Sequence, residues 1–202
     1  MPRLFLSKLN LTAHVAFSTG WLGAVCGFLC LAITGIVGEN PQAVRSMYIG
    51  MEVIAWFVII PFCISSLLTG IMQSLITQWG LFKHYWIVIK LILTVIATVL
   101  LLLHMQPIGE IASVAQERSL DVSEMSGVRV RLIADAGVAI FVLLIATALS
   151  IYKPFGRIGV RIDLSIALLR QQSLGFYVIL GMVLLFIVII MLHLFGISLG
   201  HH

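Results

Sequence analysis

Four ionisable residues sit inside long apolar runs at about the same depth: Glu52, His104, Asp135 and His193. Charge in hydrocarbon costs on the order of 3 kcal/mol per residue even on insertion scales, so such side chains face a protein interior or a wet cavity. Two imidazoles and two carboxylates are nitrogen and oxygen donors. His104 and His193 on different helices have the character of axial ligands for a b-type haem, because bundles build cofactor sites from facing side chains. With Glu52 or Asp135 added, the set offers a mixed site for copper, zinc or iron. The sequence thus predicts a metal centre on His104 and His193, haem b first and copper or zinc the alternative. Glu52 and Asp135 then tune its potential or relay protons. Hydrogen-bonded polar residues with no cofactor are the simpler explanation, and Arg131, one turn before Asp135, offers a local ion pair.

A second haem on His14 and His84, near the other membrane face, would complete a transmembrane electron wire. Two features oppose it. His84 points away from the helical stripe that carries His104, towards the lipid headgroups, and twenty residues of helix separate the two by roughly 30 Å. Cys26, Cys30 and Cys63 are mid-membrane thiols, soft enough for Cu(I), yet buried cysteine ordinarily acts as a small hydrophobe. Lys90 either snorkels to the aqueous surface or serves as a counter-charge in a conduction path. The terminal His201 and His202 follow a glycine and are given no role. No hydrolase triad, phosphate-cradling loop, zincin helix or dinucleotide fingerprint is present.

The elements that must hold these residues follow from composition. The 202 residues are 61% hydrophobic and 10% charged, where soluble proteins carry about 25% charge. The chain reads as an all-α, polytopic transmembrane helix bundle in a single domain. About 20 apolar residues cross a bilayer, which gives five spans, a four-helix core plus one: residues 11–37, 44–79, 82–105, 131–152 and 174–195. Pro61 should kink the second and Pro107 should stop the third. A polar outer loop at 106–130 should carry a short amphipathic helix at 108–117. A basic connector at 153–172 is expected to lie in the cytoplasmic interface.

Arg3, Lys8, Lys83, Lys153, Arg157, Arg161 and Arg170 fall on one side. The positive-inside rule makes that side cytoplasmic, with the N-terminus in and the C-terminus out. The net charge of +4 is therefore a topological signal rather than a nucleic-acid footprint. Helical spacing picks the faces that look inward: Glu52, Trp56, Ile59, Cys63, Ser66, Gly70 and Gln73 on the second span; Lys90, Thr94, Ala97, Leu101 and His104 on the third; Asp135, Ala139, Val142 and Ala146 on the fourth. On the first, Ala16, Gly20, Gly23 and Gly27 form a small-residue face suited to close helix contact.

The segment His14-Val-Ala-Phe-Ser-Thr-Gly-Trp21 resembles the opening helix of copper-resistance D-type membrane proteins, with Gly70 and Lys90 matching later positions. Residues 65–107 and 131–156 are also similar to an uncharacterised family of bacterial integral membrane proteins. The resemblance implies a multi-pass protein of the bacterial plasma membrane and makes copper handling one role to weigh. It bears on His14, Trp21, Gly70 and Lys90, not on His104 or His193. The expected function is electron transfer through a haem, fed by a membrane quinol or a membrane redox partner. A copper-handling protein or small transporter, with Lys90, Glu52 and Asp135 as coupling charges, is the alternative, and a cofactor-free accessory subunit the third.

Overall fold

The computed structural model of the chain describes residues 2–77, 81–117 and 126–153. Helix α1 is Pro2–Val37, α2 is Pro41–Ile54, α3 is Ile60–Ile76, α4 is Tyr85–Gln116 and α5 is Ser126–Tyr152; a π-helical turn, Ala55–Ile59, joins α2 to α3. With α2 and α3 as one rod, four described helices are long and apolar enough to cross a membrane. The expected fifth span, and the connector from residue 154 onward, lie outside the described residues.

Local chemistry explains the turns. Asn40 caps α2, its side chain accepting from the backbone N–H groups of Gln42 and Ala43, with Pro41 in the first turn where no N–H is needed. Further along, Pro61 lacks a donor, and its ring would strike the carbonyl one turn back. The chain widens before it: the Ile60 N–H reaches back five residues to the Ala55 carbonyl. That extra residue rotates the helix surface. Met51, Ala55, Ile59 and Cys63 are all buried while Trp56 is exposed, so the expected stripe holds from Ile59 onward and Ala55 takes the place of Trp56 in it. Pro107 does not stop the third span. Helix α4 runs through it to Gln116 as one element, because Ile108, Ile111, Ala112 and Ala115 continue the buried face beyond the proline. The separate amphipathic helix expected at 108–117 is the end of α4. Helix α5 likewise begins at Ser126, earlier than the expected 131, and closes on Lys153, whose φ of 44° marks a left-handed cap.

Helix α1 packs on α2, α3 and α5, with α2 on α4 and α4 on α5. Side chains at both ends agree on the pairing: Asn10 meets Gln73 and Lys90 meets Ser150 at one end, while Arg129 meets Tyr48 at the other. We call these the lysine end and the arginine end. The core is built on Trp21, Val25, Phe28 and Ala32 of α1, against the buried residues of the second rod, with Met105, Ile108, Leu132 and Ala136 closing it. The small-residue face of α1 is only partly used. A β-carbon on Gly20 would lie 2.5 Å from the Phe62 ring, whereas Gly23 and Gly27 border open space.

Candidate functional site

Helix α4 carries His104 and α5 carries Asp135 to the same level near the arginine end. The flanking residues turn both inward: Leu101 and Ile108 on α4, Leu132 and Ala136 on α5, all in or against the core. His104 Nε2 lies 2.8 Å from Asp135 Oδ2, with the two side chains only 14% and 16% exposed. His104 Nδ1 lies 2.6 Å from the Leu100 carbonyl oxygen. Arg131, half out of the bundle, places Nε 3.8 Å from the same Asp135 oxygen.

Donor and acceptor roles follow by elimination. A carbonyl only accepts, so Nδ1 carries a hydrogen. Nε2 lies at ion-pairing distance from the Asp135 carboxylate, and the two carry opposite charges when the ring is protonated. They form one largely buried imidazole–carboxylate pair across α4 and α5.

Beside this pair is a cavity of about 250 Å³. Its walls come from Trp21, Val25 and Phe28 of α1, Ala55 and Ile59 of the π turn, and apolar residues of α4 and α5, with His104 and Asp135 the ionisable groups among them. The π turn contributes directly, since it brings the small Ala55 to the wall where Trp56 was expected. Ile96, 37% exposed, is both a wall residue and part of the outer surface of α4.

The remaining expected ligands are elsewhere. Glu52 is not a wall residue; its Oε1 lies 3.8 Å from where a β-carbon on Gly109 would sit, more than a turn of α4 beyond His104. His193 lies outside the described residues. His14 is at the lysine end, Nδ1 3.0 Å from the Ser66 carbonyl and 3.2 Å from the Thr69 hydroxyl. There Gly70 leaves just enough room: its β-carbon would stand 3.0 Å from His14 Cε1. His84 does not reach outward to headgroups as its helical position suggested. It sits in extended backbone just before α4, 7% exposed, its ring 6.3 Å from that of Trp86. Lys90, within electrostatic range of His14, donates to the Ser150 hydroxyl at 2.6 Å across the α4–α5 contact. Cys63 is buried against Thr98, whereas Cys26 and Cys30 are exposed, so the three thiols do not converge. Among the described residues, no three His, Cys, Asp or Glu side chains gather as a metal site. Iron ligation by His104 requires that ring to release Leu100 or Asp135 first.

Two participants escaped the sequence reading. Arg129 donates to the Tyr48 hydroxyl and to the Gly35 carbonyl, with its guanidinium 5.7 Å from the Tyr48 ring centroid. It ties the start of α5 to the C-terminal carbonyls of α1, where a cation is favoured. Phe28, with Trp21 seven residues before it, forms the aromatic wall of the cavity; the spacing of Trp21, Val25, Phe28 and Ala32 by four, three and four was its available signal. Comparison with family models, curated proteins and solved structures finds no match to this chain.

Proposed function

We propose that this chain takes a small, mostly apolar molecule from the bilayer into the cavity beside His104. The His104–Asp135 pair holds the polar end of that molecule and exchanges a proton with it. One observation carries this reading: an imidazole–carboxylate pair, 2.8 Å across, in the wall of an otherwise apolar cavity within a bundle of membrane-length helices. Buried polar networks in apolar surroundings mark functional sites more often than they add stability. Arg131, 41% exposed and 3.8 Å from Asp135, marks the side of the pair that lies nearest water at the arginine end. In the expected orientation, with the lysine end in the cytoplasm of a bacterium, that water is outside the cell.

The test uses protein with ¹⁵N-labelled histidine in lipid nanodiscs. Phenol and benzene at increasing concentration should both shift the His104 ring resonances, and phenol should also change the proton distribution between the ring nitrogens. Filling the cavity with Ala97→Leu and Ala139→Leu should abolish both responses. A His104 signal that ignores both probes, or that still responds in the filled variant, would sink the proposal.

A further inference from the structure

We infer, resting on the cavity function proposed above, that the molecule it takes is a lipid-phase phenol or quinol: one ring whose hydroxyl donates a hydrogen bond to Asp135.

Four observations converge on this class. The first is the direction of hydrogen bonding. His104 Nδ1 faces a carbonyl, and Nε2 lies 2.8 Å from Asp135 Oδ2. What the pair presents to an entering molecule is carboxylate acceptor capacity, since an ionised carboxylate has about four lone-pair positions and no donor. The ligand must therefore bring a donor. An ammonium is disfavoured, because the Arg131 guanidinium already stands beside the one carboxylate, with His104 on it as well, and a further cation in a low-dielectric site is repelled. A hydroxyl remains.

Size is the second. At about 250 Å³, the space falls below the roughly 300–1,000 Å³ of pockets that enclose drug-sized ligands. One substituted ring suits it better than a macrocycle. The third is the wall: Trp21 and Phe28 flank the space, and aromatic faces favour a flat aromatic partner in offset or edge contact. The fourth is access. The partly exposed Ile96 belongs to the cavity wall and to the outer surface of α4 together. A molecule entering there comes from the lipid phase, with room for an apolar tail to stay behind in it. Only binding and reversible proton exchange are assigned; each proton the hydroxyl gives up passes to the His104–Asp135 pair.

Three probes test the inference in nanodiscs, with Trp56, Trp79 and Trp86 replaced by Phe so that fluorescence reports Trp21 alone. They are a short-tailed benzoquinol, its bis-O-methyl ether and benzene. The quinol should bind about tenfold or more tightly than the ether, the scale of one hydrogen bond to a charged group. Asp135→Asn should bring that ratio close to one while benzene binding is unchanged. Should that variant fail to fold, the ratio in the parent protein decides alone. Benzene binding with no preference for the quinol over its ether overturns the hydroxyl class and leaves the cavity function standing. If no probe binds, or if binding persists after Ala97→Leu with Ala139→Leu, both fail.

Discussion

Two histidines, His104 on α4 and His14 on α1, lie at opposite ends of the bundle, and the chemistry around them differs in kind. His104 faces a carbonyl on one nitrogen and a carboxylate on the other. His14 faces a carbonyl and a hydroxyl on the same nitrogen, and the Thr69 hydroxyl itself donates to the Ser65 carbonyl at 2.6 Å. A hydrogen on His14 Nδ1 serves both of its partners on α3. His104 instead stands between a carbonyl of its own helix and a carboxylate of α5. One end of the molecule therefore holds an ionisable pair and the other stitches helices. The surroundings agree: the lysine end adds Asn10, which donates to the Thr69 carbonyl at 3.0 Å and to Gln73 at 2.7 Å, all short-range contacts between α1 and α3. The arginine end instead sets its pair in the wall of an apolar cavity.

The comparison is broken most directly by removing one partner of the pair. Asp135→Ala leaves a proton-bearing imidazole among apolar walls. Breaking a buried pair in this way costs about 3–5 kcal/mol, and the lower part of that range applies here because both side chains keep slight exposure. Thermal unfolding in detergent should show a large loss of stability. The double variant His104→Leu with Asp135→Leu should recover most of it, since two apolar groups replace a matched pair. Equal loss in the single and double variants would mean that the pair is not a unit.

At the lysine end the largest effect should be steric. Gly70→Ala puts a methyl group 3.0 Å from His14 Cε1, closer than ordinary van der Waals contact, so the ring or the helix must yield. Overpacking of this kind costs about 1–3 kcal/mol. Adding His14→Ala should relieve it, and the pair of variants together should unfold at nearly the temperature of His14→Ala alone. Additive losses would show that His14 and Gly70 do not share the contact.

Asn10→Ala removes two hydrogen bonds between α1 and α3. Interhelical hydrogen bonds in membrane proteins average about 0.6 kcal/mol each, so a loss of roughly 1 kcal/mol is expected in the same unfolding measurement. A loss as large as that of Asp135→Ala would erase the distinction between the two ends.

How much of this was legible in the sequence depends on what each feature needs. Long apolar runs sufficed for the four described helices, and the turn at Asn40-Pro41 announces itself by capping chemistry. Pro107 misled because a proline weighs heavily in a local reading, whereas Ile108, Ile111 and Ala115 bind the end of α4 to its neighbours. The π turn has no marker but Pro61, and one inserted residue was enough to move Trp56 off the inward stripe. His104 and Asp135 each stood out as ionisable residues at depth. Their pairing did not, because it depends on the rotation of α4 against α5, which no single-helix pattern contains. The cavity is a property of α1, the π turn, α4 and α5 together and was invisible for the same reason. Arg129 read as a loop charge until the start of α5 moved back to Ser126.

The smallest expected effect is the sharpest statement about Lys90. Its ammonium reaches Ser150 at 2.6 Å, and among the described residues no carboxylate lies within ion-pairing distance. Ser150 keeps a second bond to the Ala146 carbonyl at 2.9 Å, so replacing the lysine does not strand the serine. Met matches the length and flexibility of the lysine stem and removes the burial cost of the charge. Lys90→Met should therefore change stability by less than about 1 kcal/mol in either direction, and it should leave the phenol and benzene responses of His104 as they are. If it instead abolished them, the two ends would be energetically coupled through α4, and Lys90 would belong to the proton-handling machinery rather than to the helix contact it makes with α5.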